Sequence, residues 1–229
     1  MLARAGVASR REVERMIEAG RIQYRGKVVT TPATFILNTS NILVDGKPVA
    51  KSQKTRLWLF HKPKGQVTTH KDPEKRPTVF ENLPEGLPRV ISVGRLDINT
   101  EGLLLLTNDG ELARHMEHPS TGLKRTYRVR VHGRVDIASL ENLKNGITVD
   151  GVNYGPIKAK IEKKQGANTW LNLTLAEGKN REIKKIMEHL GLKVNRLIRT
   201  SYGPFVLGNI RASEIFEITP EKIRNVWDK

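Results

Sequence analysis

One carboxylate in this strongly basic chain stands where it could be held rigidly enough to do chemistry. Asp97 lies in the polar run from Gly94 to Gly102, two residues after Arg95, and four consecutive leucines follow that run. An apolar run bounded by turn residues predicts a buried strand, so the carboxylate beside it is a candidate for catalysis. Its spacing also fits a turn or helix cap, a common role of aspartate beside glycine, asparagine and threonine.

Two neighbouring lysines, Lys184 and Lys185, differ in where a predicted helix would place them. Asn180 is predicted to cap this helix. Its apolar face is formed by Ile183, Ile186, Met187 and Leu190. Lys184 lies about 100° from Ile183 around the helix and flanks the apolar face, whereas Lys185 lies about 200° away and is expected to face solvent.

Tyr127 lies on a stretch whose side chains alternate in character. Residues 126–131 place Tyr127, Val129 and Val131 on one side and Arg128 and Arg130 on the other. This alternation predicts a half-buried strand, and on pattern alone the tyrosine fits a core position.

Composition excludes several kinds of site. The chain has no cysteine, which excludes disulfides, zinc ribbons and thiol nucleophiles. His115 and His118 have the spacing of a metal-binding pair, but no third ligand is evident, so a helix-end role is favoured and no metal site is predicted.

The charge of the chain indicates a polyanionic partner. The 229 residues carry a formal net charge of +16, which favours nucleic acid over a membrane surface, with a merely soluble basic protein as the alternative. No apolar segment approaches the length of a membrane-spanning helix, and the start lacks the apolar region of a signal peptide. We therefore expect a cytoplasmic protein without a membrane partner.

A polar stretch divides the chain into two predicted domains. Residues 1–50 are predicted to form a helix pair followed by small strands, with a capping box from Ser9 to Glu12. Residues 51–56 are the predicted linker. In residues 57–229, strands and helices alternate with mixed spacing, which predicts an α+β domain with a mixed sheet. Asp109 is expected to cap one of its helices.

The first domain resembles an S4-type RNA-binding domain. The similarity rests on the runs 2–11, 17–22 and 44–47. It implies that Arg10 and Arg11, clustered beside a helix start, contact RNA phosphates. The alternative for each arginine taken singly is a solvated helix face.

The second domain is similar to pseudouridine synthases of the RsuA/RluB type. The long run 94–110 carries the resemblance, and the stretches 62–65, 124–127, 177–185, 196–199 and 202–204 agree with it in order and spacing. The large-subunit (RluB-like) branch fits better than the small-subunit branch, mainly through 177–182 and 196–199. The resemblance implies an isomerase of uridine in ribosomal RNA, expected to be 23S rRNA, either naked or in a pre-ribosomal particle.

The resemblance also implies roles for individual residues. Asp97 would be the catalytic carboxylate, acting without cofactor or metal on a flipped-out uridine. Tyr127 would stack on the base, and Lys184 would pair with Asp97 and keep it ionised. The remaining substrate-binding residues implied by this resemblance are Arg95, Lys124, Arg181 and Ile183.

Two other functions remain as alternatives. One is a non-catalytic RNA-binding factor for ribosome assembly on the same fold. The other is a nucleoside or glycoside hydrolase, which would need a second carboxylate that the sequence does not supply. A monomer is the expected oligomeric state.

Overall fold

The structure is a computed structural model that describes residues 1–51 and 53–227. The predicted linker 51–56 contains Ser52, which lies outside the described residues. Asp228 and Lys229, at the end of the predicted second domain, lie outside them as well.

The N-terminal unit is one helix on a small antiparallel sheet. In chain order its elements are α1 (Arg10–Glu18), β1 (Ile22–Tyr24), β2 (Lys27–Val28), β3 (Ile42–Val44) and β4 (Lys47–Pro48). The strands pair in the order β2-β1-β3-β4. Its core is formed by Leu2, Met16, Ile17, Ile22, Val29 and Ile42.

The predicted helix pair is wrong in its first member. The backbone before α1 forms hydrogen-bonded turns, with the amide of Val7 donating to the carbonyl of Leu2 at 3.2 Å. Gly6 has a φ of +81°, a conformation that interrupts a right-handed helix. The predicted cap of α1 is present, because the amide of Glu12 donates to Ser9 Oγ at 3.2 Å.

The larger unit is built from strands joined by short helices. In chain order these elements are β5 (Leu57–Lys62), β6 (Ile91–Val93), β7 (Glu101–Thr107), α2 (Gly110–Glu117), β8 (Arg125–His132), α3 (Ile137–Asn142), β9 (Ile147–Val149), β10 (Val152–Tyr154), β11 (Ile157–Gln165), β12 (Asn168–Leu175), α4 (Glu182–His189), β13 (Lys193–Tyr202), β14 (Phe205–Val206), β15 (Ile215–Glu217) and α5 (Pro220–Trp227).

A mixed sheet organises this unit. Its strands follow the order β11-β12-β8-β13-β7-β5-β15, with β14 beside β13 and β6 beside β7. Strands β13 and β7 run parallel, and their neighbours pair antiparallel. The predicted α+β class with a mixed sheet is therefore confirmed. Within the described part of the chain, no helix is long and apolar enough to span a membrane.

The two faces of the sheet are covered differently. On the face that carries Tyr127, here called the cleft face, α3 and α4 pack against one end and the loops that precede β7 against the other. On the opposite face, here called the back face, α2 and α5 cover β5 and β7. Strand alternation thus sends Tyr127 to one side and Arg128 to the other.

The predicted cap of α2 is present, whereas the predicted cap of α4 is not. Asp109 caps α2, with Oδ1 accepting from the amide of Glu111 at 2.9 Å, and its Oδ2 lies 2.9 Å from Arg4 of the N-terminal unit. Asn180 does not cap α4. The N-cap is Arg181, held at φ 51° with no side-chain cap, and the amide of Lys179 donates instead to Glu182 Oε2 at 3.0 Å.

Gly102 allows β7 to approach β13 more closely than any other residue would. A Cβ on Gly102 would collide with the carbonyl oxygen of Arg199 and lie 2.7 Å from its amide nitrogen, and the φ of Gly102 is +104°. Because both the space and the backbone conformation exclude a side chain, this position fixes the distance between the strand that follows Asp97 and the strand that follows α4.

We predict that Gly102→Ala lowers the free energy of unfolding by at least about 2 kcal/mol, because the new methyl group collides with backbone and the φ is strained. Gly110→Ala is the matched control. Its Cβ would meet only the side chain of Ile91 at 3.8 Å, so stability should stay equal or rise by roughly 0.5 kcal/mol. Urea denaturation of both variants measures the difference, and equal stabilities would refute this account of Gly102.

Candidate active site

Asp97 lies in a loop between β6 and β7 that is fastened on both sides. The Thr68 hydroxyl donates to the carbonyl of Leu96 at 2.9 Å, and the amide of Gly65 donates to the carbonyl of Ile98 at 2.8 Å. The amide of Thr100 closes the turn by donating to the backbone carbonyl of Asp97 at 2.9 Å. The backbone of the loop, rather than the carboxylate, therefore makes the turn.

The carboxylate of Asp97 points at cations instead of capping the turn. Lys184 Nζ donates to Asp97 Oδ2 at 2.9 Å, and Arg181 Nη1 lies 3.5 Å from the same oxygen. The Lys184 side chain is 15% exposed and that of Asp97 is 35% exposed. The shortest contact of each cation is to Oδ2, and no side chain among the described residues donates a hydrogen bond to Oδ1.

Helix α4 explains why Lys184 rather than its neighbour reaches the carboxylate. Ile183 and Ile186 are buried against the sheet, which turns Lys184 to the border of the packed surface. Lys185 is exposed. This placement agrees with the helical geometry, in which Lys185 lies about 200° from Ile183.

Lys62 is a charged residue buried beneath the loop. Its side chain is fully buried at the end of β5, and Nζ donates to the carbonyls of Pro63 at 2.9 Å, Thr100 at 3.0 Å and Ile98 at 3.4 Å. Burial lowers the pKa of Lys62 to about 8, while the charges of Asp97 and Glu101 act in the opposite direction. Lys62 therefore ties the last residues of the loop, just before β7, to the end of β5 from below.

A cleft of about 1070 Å³ opens above Asp97. Tyr127 lines the cleft from β8 and is half-buried. Its ring packs against both apolar clusters of the cleft face, the one under α3 and α4 and the one under the loops that precede β7. Ile183, which is 5% exposed and precedes Lys184 on α4, gives the cleft an apolar lining residue. A carboxylate with an aromatic ring and an apolar floor can hold a planar polar group against a single nucleophile.

The other predicted substrate-binding residues divide into two groups. Arg95 and Arg181 line the cleft. Lys124 is exposed just before β8, and Arg10 and Arg11 are exposed at the start of α1. Among the described residues that line the cleft, these last three are not found.

Three basic residues in or beneath the cleft were missed by the sequence reasoning. They are Lys62 beneath the loop and two arginines, Arg125 and Arg199. Arg125 Nη2 donates to the Tyr202 hydroxyl at 2.8 Å, and Nη1 donates to the carbonyl of Ala176 at 2.5 Å. Arg199 is 2% exposed and its Nε donates to the carbonyl of Leu103 at 2.7 Å. All three lie within the motifs noted above, but nothing in their spacing indicates that they bind backbone carbonyls.

Comparisons with known proteins place these features in a family. The model of the RNA pseudouridylate synthase family matches residues 56–189, and that of the S4 domain matches residues 1–37. An RNA pseudouridine synthase of Rickettsia bellii is 51% identical over 219 residues, which are 96% of this chain and 95% of the relative. Ribosomal large subunit pseudouridine synthase B of Salmonella typhimurium is 44% identical over 213 residues, 90% of this chain and 73% of the relative.

A solved structure supports the same comparison. The crystal structure of a pseudouridylate synthase superimposes with a TM-score of 0.69 at 26% sequence identity, covering 98% of this chain and 96% of that one. The similarity thus extends over both units of the chain.

Lys62 predicts a particular dependence of stability on pH. Its folded pKa of about 8 lies below the ordinary value of 10.5, so between these pH values the unfolded chain binds more protons than the folded one. Stability contributed through this group must therefore rise with pH in that window. We expect the free energy of unfolding of the wild type, minus that of Lys62→Met, to increase from pH 8 to 10.5.

Urea denaturation across this range measures the difference. Lys64→Met, which alters an exposed neighbour, is the control and should follow the wild-type profile. A difference between wild type and Lys62→Met that is flat or falls with pH would contradict the burial of a charged Lys62.

Proposed function

The chain belongs to the RNA pseudouridylate synthase family, and from that premise we propose that Asp97 is the catalytic carboxylate for converting a ribosomal uridine to pseudouridine. The observation that carries the proposal is the pairing of Asp97 Oδ2 with Lys184 Nζ at 2.9 Å in the floor of the cleft. One carboxylate oxygen is held by cations, and the other remains to act on the substrate.

The reaction moves one bond on the target nucleotide. The bond between ribose C1′ and uracil N1 breaks with the help of Asp97, the base rotates, and C5 joins C1′. The proton on C5 leaves and N1 gains one, so atoms balance and no oxidant or reductant is consumed. A single positioned nucleophile is sufficient for such chemistry.

The remaining cleft residues hold the substrate during this rearrangement. The uridine is extruded from its stack, and the Tyr127 ring stacks on it while Ile183 packs beneath the base. Arg95 and Arg181 are charged and exposed at the cleft, where they bind the flanking phosphates. Lys184 fixes the rotamer of Asp97 and balances its charge.

The substrate we propose is 23S ribosomal RNA, because the Salmonella relative is named as a large-subunit pseudouridine synthase. The N-terminal unit would bind RNA through Arg10 and Arg11, and the larger unit would add Lys124 just before β8. The protein would act as a monomer in the cytoplasm, where this RNA is made. The alternative of a non-catalytic assembly factor gives no reason for the Asp97–Lys184 pair in an open cleft.

Mapping pseudouridines in ribosomal RNA from cells with and without this protein tests the proposal. One position of 23S rRNA should carry pseudouridine only when the protein is present. Lys185→Met should restore it as the wild type does, because Lys185 is exposed. In cells that lack the protein, Lys184→Met should form this pseudouridine at a rate lower by on the order of 100-fold, since Asp97 loses its closest cation.

Two results would count against the proposal. A pseudouridine profile unchanged by loss of the protein would remove the proposed activity. Equal complementation by Lys184→Met and Lys185→Met, at matched protein levels, would remove the role of the ion pair.

A further inference from the structure

Half of the back face of the sheet is uncovered. Helices α2 and α5 pack over β5 and β7, but over β8, β11 and β12 the side chains that point away from the cleft are exposed or half-exposed. These side chains lie on three adjacent strands, with β12 in the middle. They form one continuous surface on the side of the sheet opposite Asp97.

This surface is strongly cationic. Lys158, Lys160 and Lys163 stand on β11, whose register places them opposite Thr174, Asn172 and Trp170. The cationic side chains of this surface, here called the back-face patch, are Arg128, Arg130, Lys158, Lys160, Lys163 and Arg196.

The acidic side chains near the patch are already neutralised. Glu162 pairs with Arg128 at 2.6 Å, and Glu101 pairs with Arg196 at 2.8 Å. Among the residues that the structure describes, Lys158, Lys160, Lys163 and Arg130 take part in no ion pair. The patch therefore carries charge that nothing within the described chain compensates.

The uncharged part of the surface suits a polar polymer better than an apolar one. Asn172 and Thr174 are half-exposed beside the lysines, and the Thr126 and Thr174 hydroxyls lie 3.2 Å apart. The half-buried Trp170 ring is covered by the Arg128 guanidinium, 4.3 Å from its centroid. Amide and hydroxyl groups beside lysines are the donors that bind phosphate and sugar.

We propose that the back-face patch binds the phosphate backbone of a second segment of the substrate RNA, remote from the target uridine. The inference rests on the proposed function and adds a binding surface to it. Strand β11 is the edge strand of the sheet. In this proposal a long folded RNA passes around that edge from the cleft to the patch, and a short stem-loop bound in the cleft does not reach it. Contacts to phosphates there would orient the protein on the RNA without reading its sequence.

The test uses the full chain with three charges removed. The variant Lys158→Gln/Lys160→Gln/Lys163→Gln is compared with Lys144→Gln/Lys222→Gln/Arg224→Gln, which removes three exposed cations elsewhere. Binding to long 23S rRNA transcripts and to a short stem-loop is measured over a range of salt concentrations, together with isomerisation of both RNAs. If the wild-type protein isomerises neither RNA, the proposed function fails. That result is distinct from a failure of the patch, which is read from RNA binding by the two variants.

We expect the patch variant to bind the long transcript roughly tenfold more weakly than the control variant. Its slope of log affinity against log salt should be smaller by about 2, as expected when three phosphate contacts are lost. Binding and isomerisation of the stem-loop should match the control within twofold.

Two outcomes would overturn the inference. One is that both variants bind the long transcript equally. The other is that the patch variant binds RNA as the control does but, unlike the control, is no longer retained on a polyglutamate column. That result would identify the patch as a binding surface for acidic proteins.

Discussion

The ion pair between Lys184 and Asp97 is the contact on which the site depends. It joins a helix to a loop across 87 residues of sequence, so neither element alone can make it. Its 2.9 Å distance requires that α4 sit on the cleft face with Ile183 buried, and that the strand following Asp97 lie beside the strand following α4. Much of the larger unit can be understood as satisfying these two requirements.

Two residues, Gly102 and Lys62, hold the strand that follows Asp97 in its place beside the strand that follows α4. Gly102 lets β7 approach the backbone of Arg199 at a distance no side chain would permit. Lys62 then holds the loop from below, because its ammonium group donates to the carbonyl of Thr100 at the end of the loop and to that of Pro63 after β5. Burying an ammonium group disfavours its charged form, which the lowered pKa of Lys62 reflects. The loop therefore carries Asp97 on a rigid base, with its carboxylate turned towards solvent and the cations of α4.

The sequence predicted those features that depend on local pattern. The four leucines after Gly102 form the buried strand expected of them, and the spacing of Ile183 and Ile186 separated Lys184 from Lys185. Features that depend on tertiary contacts were missed. Lys62 was noted only within the run 62–65, since nothing in the local sequence indicates that its ammonium group contacts three carbonyls. Strand β11 was overlooked, although Ile157, Ala159 and Ile161 alternate with charged residues in the sequence, because its lysines and the small Ala159 give it little apolar character. Asn180 does not cap α4, because the chain turns at Arg181.

The central claim is that Asp97 performs the chemistry and contributes little to RNA binding or stability. Release of tritium from 23S rRNA labelled at uracil C5 tests it directly, since the C5 proton must leave when C5 joins C1′. Purified Asp97→Asn should release none above background, while it binds the RNA within about twofold of wild type and unfolds at a similar urea concentration. Tritium release by Asp97→Asn at a rate near that of wild type would contradict the account.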